Sequence, residues 1–310
     1  MNKIRCFSCS CPHLVLIGDI APSYAFAGRL LDRKIEGGKL YRCKRCHFVF
    51  RYPQLTVAEL NALYRSGDEK SWSSNTTQRN DWRVIRNWLM PKKGIERILD
   101  IGCFDGGLLE YLGRDYCWLG IELHERAASH AQSRGVQIVG HNFKDIPVLQ
   151  PPVDAVIAVD VLEHASDPKS LLRAATSCVR PGGYVVISTG NSDAGTWRLM
   201  GSRYWYCHIA EHISFINPYW VRYVAPQLGL KIELIELFSH AEGRVRLRQK
   251  LYEASANLLL RVSPRLFALM RRFGIGGIDH CRYPDMALTP PYWMSARDHM
   301  MVVFRKITRE

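Results

Sequence analysis

Cys6-x-x-Cys9 and Cys43-x-x-Cys46 are two pairs of thiols at the spacing that lets one metal ion take both sulfurs of each pair. Together they can supply the four thiolates of a tetrahedral zinc site with no position left for water, so the expected role is structural. Cys11, His13 and His47 stand nearby as substitute ligands. A second reactive set lies in "YWYCHIAEHISF", where Tyr206, His208, Glu211 and His212 offer a phenol, two imidazoles and a carboxylate. Histidine titrates near neutrality and suits proton transfer from a hydroxyl or a carbon acid. The spacing predicts His212 as general base, oriented or tuned by Glu211, with His208 and Tyr206 as acceptor contacts. The competing reading is that these polar residues satisfy the start of the following helix, "NPYWVRYVAPQLG".

The third set is "ILDIGCFDGG", residues 98–107, a strand running into a glycine-rich turn. A dinucleotide site needs G-x-G-x-x-G, whose middle glycine lets the backbone approach the pyrophosphate. Here that place is Phe104, and Asp100 puts a carboxylate beside the same dianion. Both features argue against a nicotinamide dinucleotide. They argue much less against S-adenosylmethionine, which has no phosphate and carries sulfonium and ammonium charges that a carboxylate attracts. Glu122, at the end of the next strand, is placed to accept hydrogen bonds from both ribose hydroxyls.

These residues need elements to position them. A helix over "RNDWRVIRNWLMP", stopped by Pro91, precedes the strand "RILDIGC"; then come helix "GLLEYL", strand "CWLGIEL", helix "ERAASHAQSR", and strands "VQIVG" and "VDAVIAVD". Helix "PKSLLRAATSCV" and strand "YVVISTG" continue the alternation. Nearly unbroken apolar strands alternating with helices predict a Rossmann-like parallel sheet covered on both faces, with ligands at the carboxyl ends of the strands. In the cysteine lobe, "FVFRY" is expected as a strand packing one face inward rather than a base-stacking platform.

Through "LDIGCFDGG", "LGIEL", "DAVIAVDVLEHASDP" and "VRPGGYVVIST" the chain resembles the class I S-adenosylmethionine-dependent methyltransferases over about residues 80–238, and "HMMVVFRKI" looks like their antiparallel last strand. The resemblance implies that Asp100, Gly102 and Gly106 line the methionine end, that Glu122 holds the ribose and that Asp160 with Val161 borders the cofactor. In His141-Asn142-Phe143, Asn142 takes the place of an aspartate that often meets the adenine. Phe104 departs from the usual glycine. Glu163 and His164 read as a cap that orders a loop. The cysteine lobe, the Glu-His pair and the core together are similar to zinc-containing sugar methyltransferases of polysaccharide and antibiotic clusters. That similarity implies oxygen methylation of a sugar or glycan hydroxyl. Carbon methylation of a keto sugar and an RNA methyltransferase with a zinc knuckle are the alternatives; Ile209 stands where the sugar enzymes commonly have tyrosine, and no proline-proline-aromatic motif follows the fourth strand.

The 310 residues, 47% hydrophobic and 23% charged, are those of a globular chain with a sizeable core. No run of about 18 apolar residues appears, which disfavours a membrane span. Ten cysteines at irregular spacing and no apolar leader core place the protein in a reducing cytoplasm. Two units are expected: a zinc-binding lobe over 1–75 and a methyltransferase domain over 76–310, with an acceptor-side segment at 191–218 and a basic helical insert at 241–296. Much of the excess behind the net charge of +13 lies between Arg244 and Arg272 of that insert, where Arg244, Arg246, Arg248, Lys250, Arg261, Arg265, Arg271 and Arg272 stand against one acid, Glu253. Its leucine stripe beside arginines predicts either a lid or dimer face, or a helix lying on an anionic membrane surface.

Overall fold

The computed structural model describes residues 4–65, 79–113, 115–142, 146, 151–240, 245–275 and 286–308. Arg244 of the basic run and Phe143 beside Asn142 lie outside the described residues. The amino-terminal lobe holds strands β1 (Leu14–Asp19), β2 (Ser23–Phe26), β3 (Arg29–Ile35), β4 (Lys39–Cys43) and β5 (Val49–Tyr52). β2 and β3 form a hairpin whose turn residues Ala27 and Gly28 have φ of 50° and 72°, the left-handed pair that matches the twist of tight hairpins. β1, β4 and β5 pair antiparallel.

Helix α1 (Val57–Arg65) starts at a reciprocal cap: Glu59 N donates to Thr56 Oγ1 at 3.2 Å and Thr56 N to Glu59 Oε2 at 2.8 Å. After α2 (Asn80–Leu89) come β6 (Arg97–Ile101), α3 (Gly107–Leu112), β7 (Cys117–Ile121), α4 (Glu125–Ser133), β8 (Gln137–Gly140) and β9 (Val153–Val159). Helix α5 (Pro168–Cys178) is capped by Asp167, with proline at its first turn, and leads into β10 (Val179–Gly190). Short helices α6 (Gly195–Met200) and α7 (Trp205–His208) precede the two-residue strand β11 (Ser214–Phe215). Then follow α8 (Pro218–Val224), β12 (Leu230–Phe238), α9 (Leu247–Val262), α10 (Pro264–Arg272) and β13 (His299–Lys306).

The main sheet has the order β12-β13-β10-β9-β6-β7-β8. Its pairings are parallel from β8 to β10, while β13 runs antiparallel to both β10 and β12. The expected parallel sheet with its reversed last strand is therefore present. Because β13 runs backwards, its first residue, His299, stands at the same edge as the carboxyl ends of the parallel strands and pairs with Gly190.

β5 differs from the expected one-faced strand: Val49, Phe50 and Arg51 are all buried. The cause is packing on both faces, Val49 in one hydrophobic cluster and Phe50 in another, while β11 pairs with the outer edge of β5 and makes it an interior strand of a four-stranded sheet. The lobe is thus bonded directly to the segment that follows β10. Phe48, Phe50 and Trp220 share one hydrophobic cluster with Leu99, Val156 and Leu171 of the main sheet's packing. Trp220 Nε1 donates to Ser8 Oγ at 2.8 Å, and Asn217, which caps α8, donates to His47 O at 2.8 Å.

Replacing fully buried Trp220 with alanine is expected to cost about 3–5 kcal/mol. Denaturant unfolding of Trp220→Ala followed by circular dichroism checks this, and a loss under about 1 kcal/mol would mean the lobe contact carries little.

Candidate active site

The turn after β6 is built on two backbone bonds, Gly102 N and Cys103 N to Ile121 O at 2.8 and 3.2 Å. Gly102 has φ +77°, and a Cβ there would stand 2.7 Å from Val161 Cγ2, so the residue must be glycine for Val161 to close on the turn. Gly106 caps α3 in a left-handed conformation. Phe104 adopts φ +46°, the conformation the missing glycine would take freely. Its N–H donates to Glu122 Oε2 at 2.9 Å, while His124 N donates to Glu122 Oε1 at 2.8 Å. Glu122 therefore ties together the turns after β6 and β7. Asn142, half-buried, and His141, whose Nδ1 lies 2.9 Å from Glu122 O, stand beyond β8 on the same edge. Asp100 is almost fully buried, and burial followed by the charge of Glu122 pushes its carboxyl up to about 7.

Asp160 leaves β9 at φ +51°. Burial works against its ionisation, yet the Arg79 guanidinium, then His240 and His299, hold its carboxyl down to about 2. Arg79 Nη2 bridges Asp160 Oδ2 and Asp81 Oδ2 just before α2. Sequence reasoning did not single out this arginine. The turn residues and these carboxylates form an acidic rim at the carboxyl edge of the sheet, and their donor set fits a ligand with a ribose and two positive charges.

The segment after β10 is zipped onto the exit of β9. Ile213 N donates to Glu163 O at 2.8 Å and Ser214 Oγ to Ala165 O at 2.6 Å. Buried Arg51 of β5 clamps the other side, donating to Cys207 O at 2.5 Å, Ile209 O at 3.0 Å and Ala210 O at 3.2 Å. These anchors bring Glu163, His164, Tyr206 and His212 into one buried cluster. The Tyr206 hydroxyl donates to Glu163 Oε1, and Thr189 Oγ1 donates to Glu163 Oε2 at 2.8 Å. Burial, then the charge of Asp160, pushes the Glu163 carboxyl up to about 7. The His212 ring lies 4.2 Å from that of Tyr206 and 5.0 Å from that of His164. Gly190 makes room, since a Cβ there would meet the Tyr206 ring at 2.7 Å.

His212 Nδ1 lies 3.2 Å from Tyr206 O. A carbonyl only accepts, so Nδ1 carries the proton and Nε2 keeps its lone pair. Burial, then the neighbouring His164, lowers the His212 pKa well below the ordinary value, so the ring is neutral at pH 7. His164 Nδ1 meets Tyr64 Oη of α1 at 2.9 Å. The expected Glu211–His212 pairing is replaced: Glu211 Oε1 accepts from Ala27 N at 3.1 Å and so ties down the β2–β3 hairpin. His208 faces the Ala21 backbone, Arg51 and Arg271, and burial followed by those cations pushes it down to about 4. The start of α8 is capped by Asn217, so neither His212 nor Glu211 serves that purpose.

Glu163 and His164, read from sequence as a loop cap, are thus at the centre of the cluster. Also missed was a dyad at the start of β13, where His299 Nδ1 meets Asp298 Oδ1 at 2.9 Å. Tyr204 Oη and Trp205 Nε1 both donate to Asp298 Oδ2. Against the effect of burial, Asp298 raises the His299 pKa. The His299 ring stands 5.3 Å from Tyr206 and 4.8 Å from His240.

In the lobe, Cys6 and Cys46 sulfurs are 3.6 Å apart, Cys9 and Cys43 sulfurs 3.5 Å apart, and all four lie within 4.8 Å of one another. Both pairs close by the same turn: Ser10 N donates to Cys6 O at 2.8 Å and His47 N to Cys43 O at 3.1 Å, with Ser10 and His47 at φ 56° and 58°. Sulfurs about 2.3 Å from a tetrahedral zinc stand roughly 3.8 Å apart, so this donor set fits that ion. His47 stacks on Tyr219, and neither it, His13 nor Cys11 belongs to the group of four.

Residues 72–235 match the methyltransferase domain family. Curated relatives include the ubiquinone biosynthesis O-methyltransferase of Aeromonas salmonicida, 34% identical over 152 residues that cover 44% of this chain and 64% of that protein. A protein of the same name from Acinetobacter baumannii is 31% identical over 134 residues, covering 38% and 56%. The chain therefore spans less than two thirds of the length of these relatives. Among solved structures, a chain from the complex between the Haloferax volcanii Trm112 methyltransferase activator and a methyltransferase has the same fold, with a TM-score of 0.53 at 13% identity, covering 78% of this chain and 94% of that one. With a match over more than half of its length, and with this strand order beneath it, the chain belongs to the methyltransferase domain family.

Proposed function

We propose that the protein is an S-adenosylmethionine-dependent methyltransferase that methylates a hydroxyl oxygen of a sugar or glycan in polysaccharide biosynthesis, with His212 as general base. The observation that carries this reading is the buried Glu163–Tyr206–His212 cluster, gathered at the carboxyl edge of the sheet beside Asp160 and the turn of Asp100 and Gly102. Family membership supports methyl transfer, and the relatives named ubiquinone biosynthesis O-methyltransferase support oxygen as the acceptor atom. The sugar class rests on the resemblance of the cysteine lobe joined to this core.

When bound, S-adenosylmethionine supplies an electrophilic methyl group on a sulfonium sulfur. Asp100 would face its cationic end, with Gly102, Gly106 and Val161 shaping the turn and Asp160 bordering it; Glu122 would take the ribose hydroxyls and Asn142 the adenine edge. His212 Nε2 would take the proton of the acceptor hydroxyl as that oxygen gains the methyl group and the methyl–sulfur bond breaks, its electron pair staying on sulfur as a neutral thioether; Tyr206 O holds the imidazole and Glu163 holds Tyr206. The four cysteines would hold one structural zinc, which would fix β4, β5 and, through β11, the segment carrying His212.

A cationic ligand must drive the proton off Asp100. Below about pH 7 the carboxyl of the unliganded protein is protonated, so binding must release a proton and cofactor affinity falls by up to about tenfold per pH unit. Calorimetric titration from pH 8 to 6 reads this, and an affinity flat across that range, with Asp100→Asn unaffected, contradicts the assignment.

Because the His212 pKa is lowered, its basic form persists below pH 6.5, so the acid limb of kcat falls below that value. A limb above 6.5 would assign the base to His299 instead. With methyl-labelled cofactor and fractionated lysate, label is expected in glycan, nucleotide-sugar or lipid-linked material and is reduced about 10²–10⁴-fold in His212→Gln. Label in RNA refutes the acceptor class. Elemental analysis should return one zinc per chain, and Cys43→Ser/Cys46→Ser should lose it together with several kcal/mol of stability; full stability without metal refutes the zinc role.

A further inference from the structure

The α9–α10 hairpin has two unlike faces. On the inner one, Leu260 and Phe267 are fully buried in a cluster with Trp197, Met200 and Trp205, and Glu253 accepts from Ser295 N at 3.0 Å. On the outer one, large apolar side chains stand in solvent. Leu247, Leu251, Leu258 and Val262 recur so that all four fall within an arc of about 60° on α9, opposite the buried positions Ala256 and Leu260. Val262 is 81% exposed and Leu247 71%. Leu266, Leu269 and Phe273 make a similar exposed stripe along and just beyond α10. Ordinary surfaces scatter such residues singly, whereas these line up in a stripe along each helix, the mark of a binding surface.

The charges beside the patch decide what covers it. Arg246, Arg248, Lys250, Arg261, Arg265 and Arg272 are exposed on the same two helices, and the hairpin's one acid, Glu253, is turned inward and bonded. A second copy docked through this face would set these cations against their own equivalents. An anionic bilayer satisfies both parts, taking the leucines into its acyl boundary and the arginines among its phosphates. Among the described residues no helix is long and apolar enough to cross a membrane.

We infer that the outer face of α9–α10 docks the protein peripherally on an anionic lipid surface. Trp205, in the cluster beneath the hairpin, has its ring centroid 5.2 Å from that of Tyr206, so the hairpin's inner face, opposite the docked one, lies next to the acceptor-side cluster. The docking itself does not depend on the methyl-transfer reading.

The test is sedimentation of the full-length protein with vesicles of phosphatidylcholine alone and of phosphatidylcholine with phosphatidylglycerol in equal parts, at low and high salt. The protein is expected to pellet with the anionic vesicles only, and less at high salt. Leu251→Glu/Leu258→Glu should abolish pelleting, and Arg265→Glu and Arg272→Glu should each weaken it roughly fivefold or more. All four positions are exposed, so an unchanged thermal unfolding curve accompanies each variant. No pelleting at low salt overturns the inference, as does equal pelleting of the double leucine variant. Sedimentation velocity showing a dimer that Leu251→Glu/Leu258→Glu dissolves, without vesicle binding, overturns it in favour of self-association.

Discussion

Burial of ionisable groups at the carboxyl edge of the sheet is the constraint on which the rest of the structure depends. Asp100, Glu122, Glu163 and Asp298 are drawn out of water at one end of the strands, with half-buried Asp160 beside them, and a buried carboxylate is costly unless something compensates it. Each is compensated differently. Asp160 has Arg79; Glu122 has two backbone N–H groups; Asp298 has a tyrosine, a tryptophan and His299. Glu163 takes two hydroxyl donors, and burial still pushes its carboxyl up to about 7, as it does that of Asp100. Among the described residues no cation offsets either carboxyl as Arg79 offsets Asp160.

The lobe makes that arrangement possible from outside the sheet. β11 is only two residues long and pairs with β5, yet it lies between His212 and the cap of α8. Arg51, on the same strand β5, holds three carbonyls of the segment that carries Tyr206 and His212. Whatever fixes the four cysteines therefore also fixes the imidazole, through one sheet and one arginine.

The strands and helices of the core were legible because their apolar runs are local and nearly unbroken. The glycine turn, Asp100 and Glu122 were legible for the same reason, each lying within a single strand-turn-helix unit. The buried cluster was not, because its bonds span the chain. Tyr64 meets His164 across 100 positions and Arg79 meets Asp160 across 81. Glu211 stands next to His212 in sequence and looked like its partner, but its bond goes 184 positions back to Ala27. "VLEH" did carry a signal, an acid and an imidazole at a strand exit; with its partners out of sight, a loop cap was the simpler reading. His299 read as the first residue of an apolar strand, and only the reversal of β13 brings it to the functional edge.

The most direct test is a carbon-13 NMR titration of the Asp100 carboxyl in labelled protein, alone and with saturating S-adenosylmethionine. The account predicts a midpoint near 7 in the free protein and a carboxylate that stays ionised to lower pH once the cation is present. An ordinary midpoint near 4, unmoved by the ligand, would contradict the claim that this edge of the sheet is built to receive a positively charged cofactor.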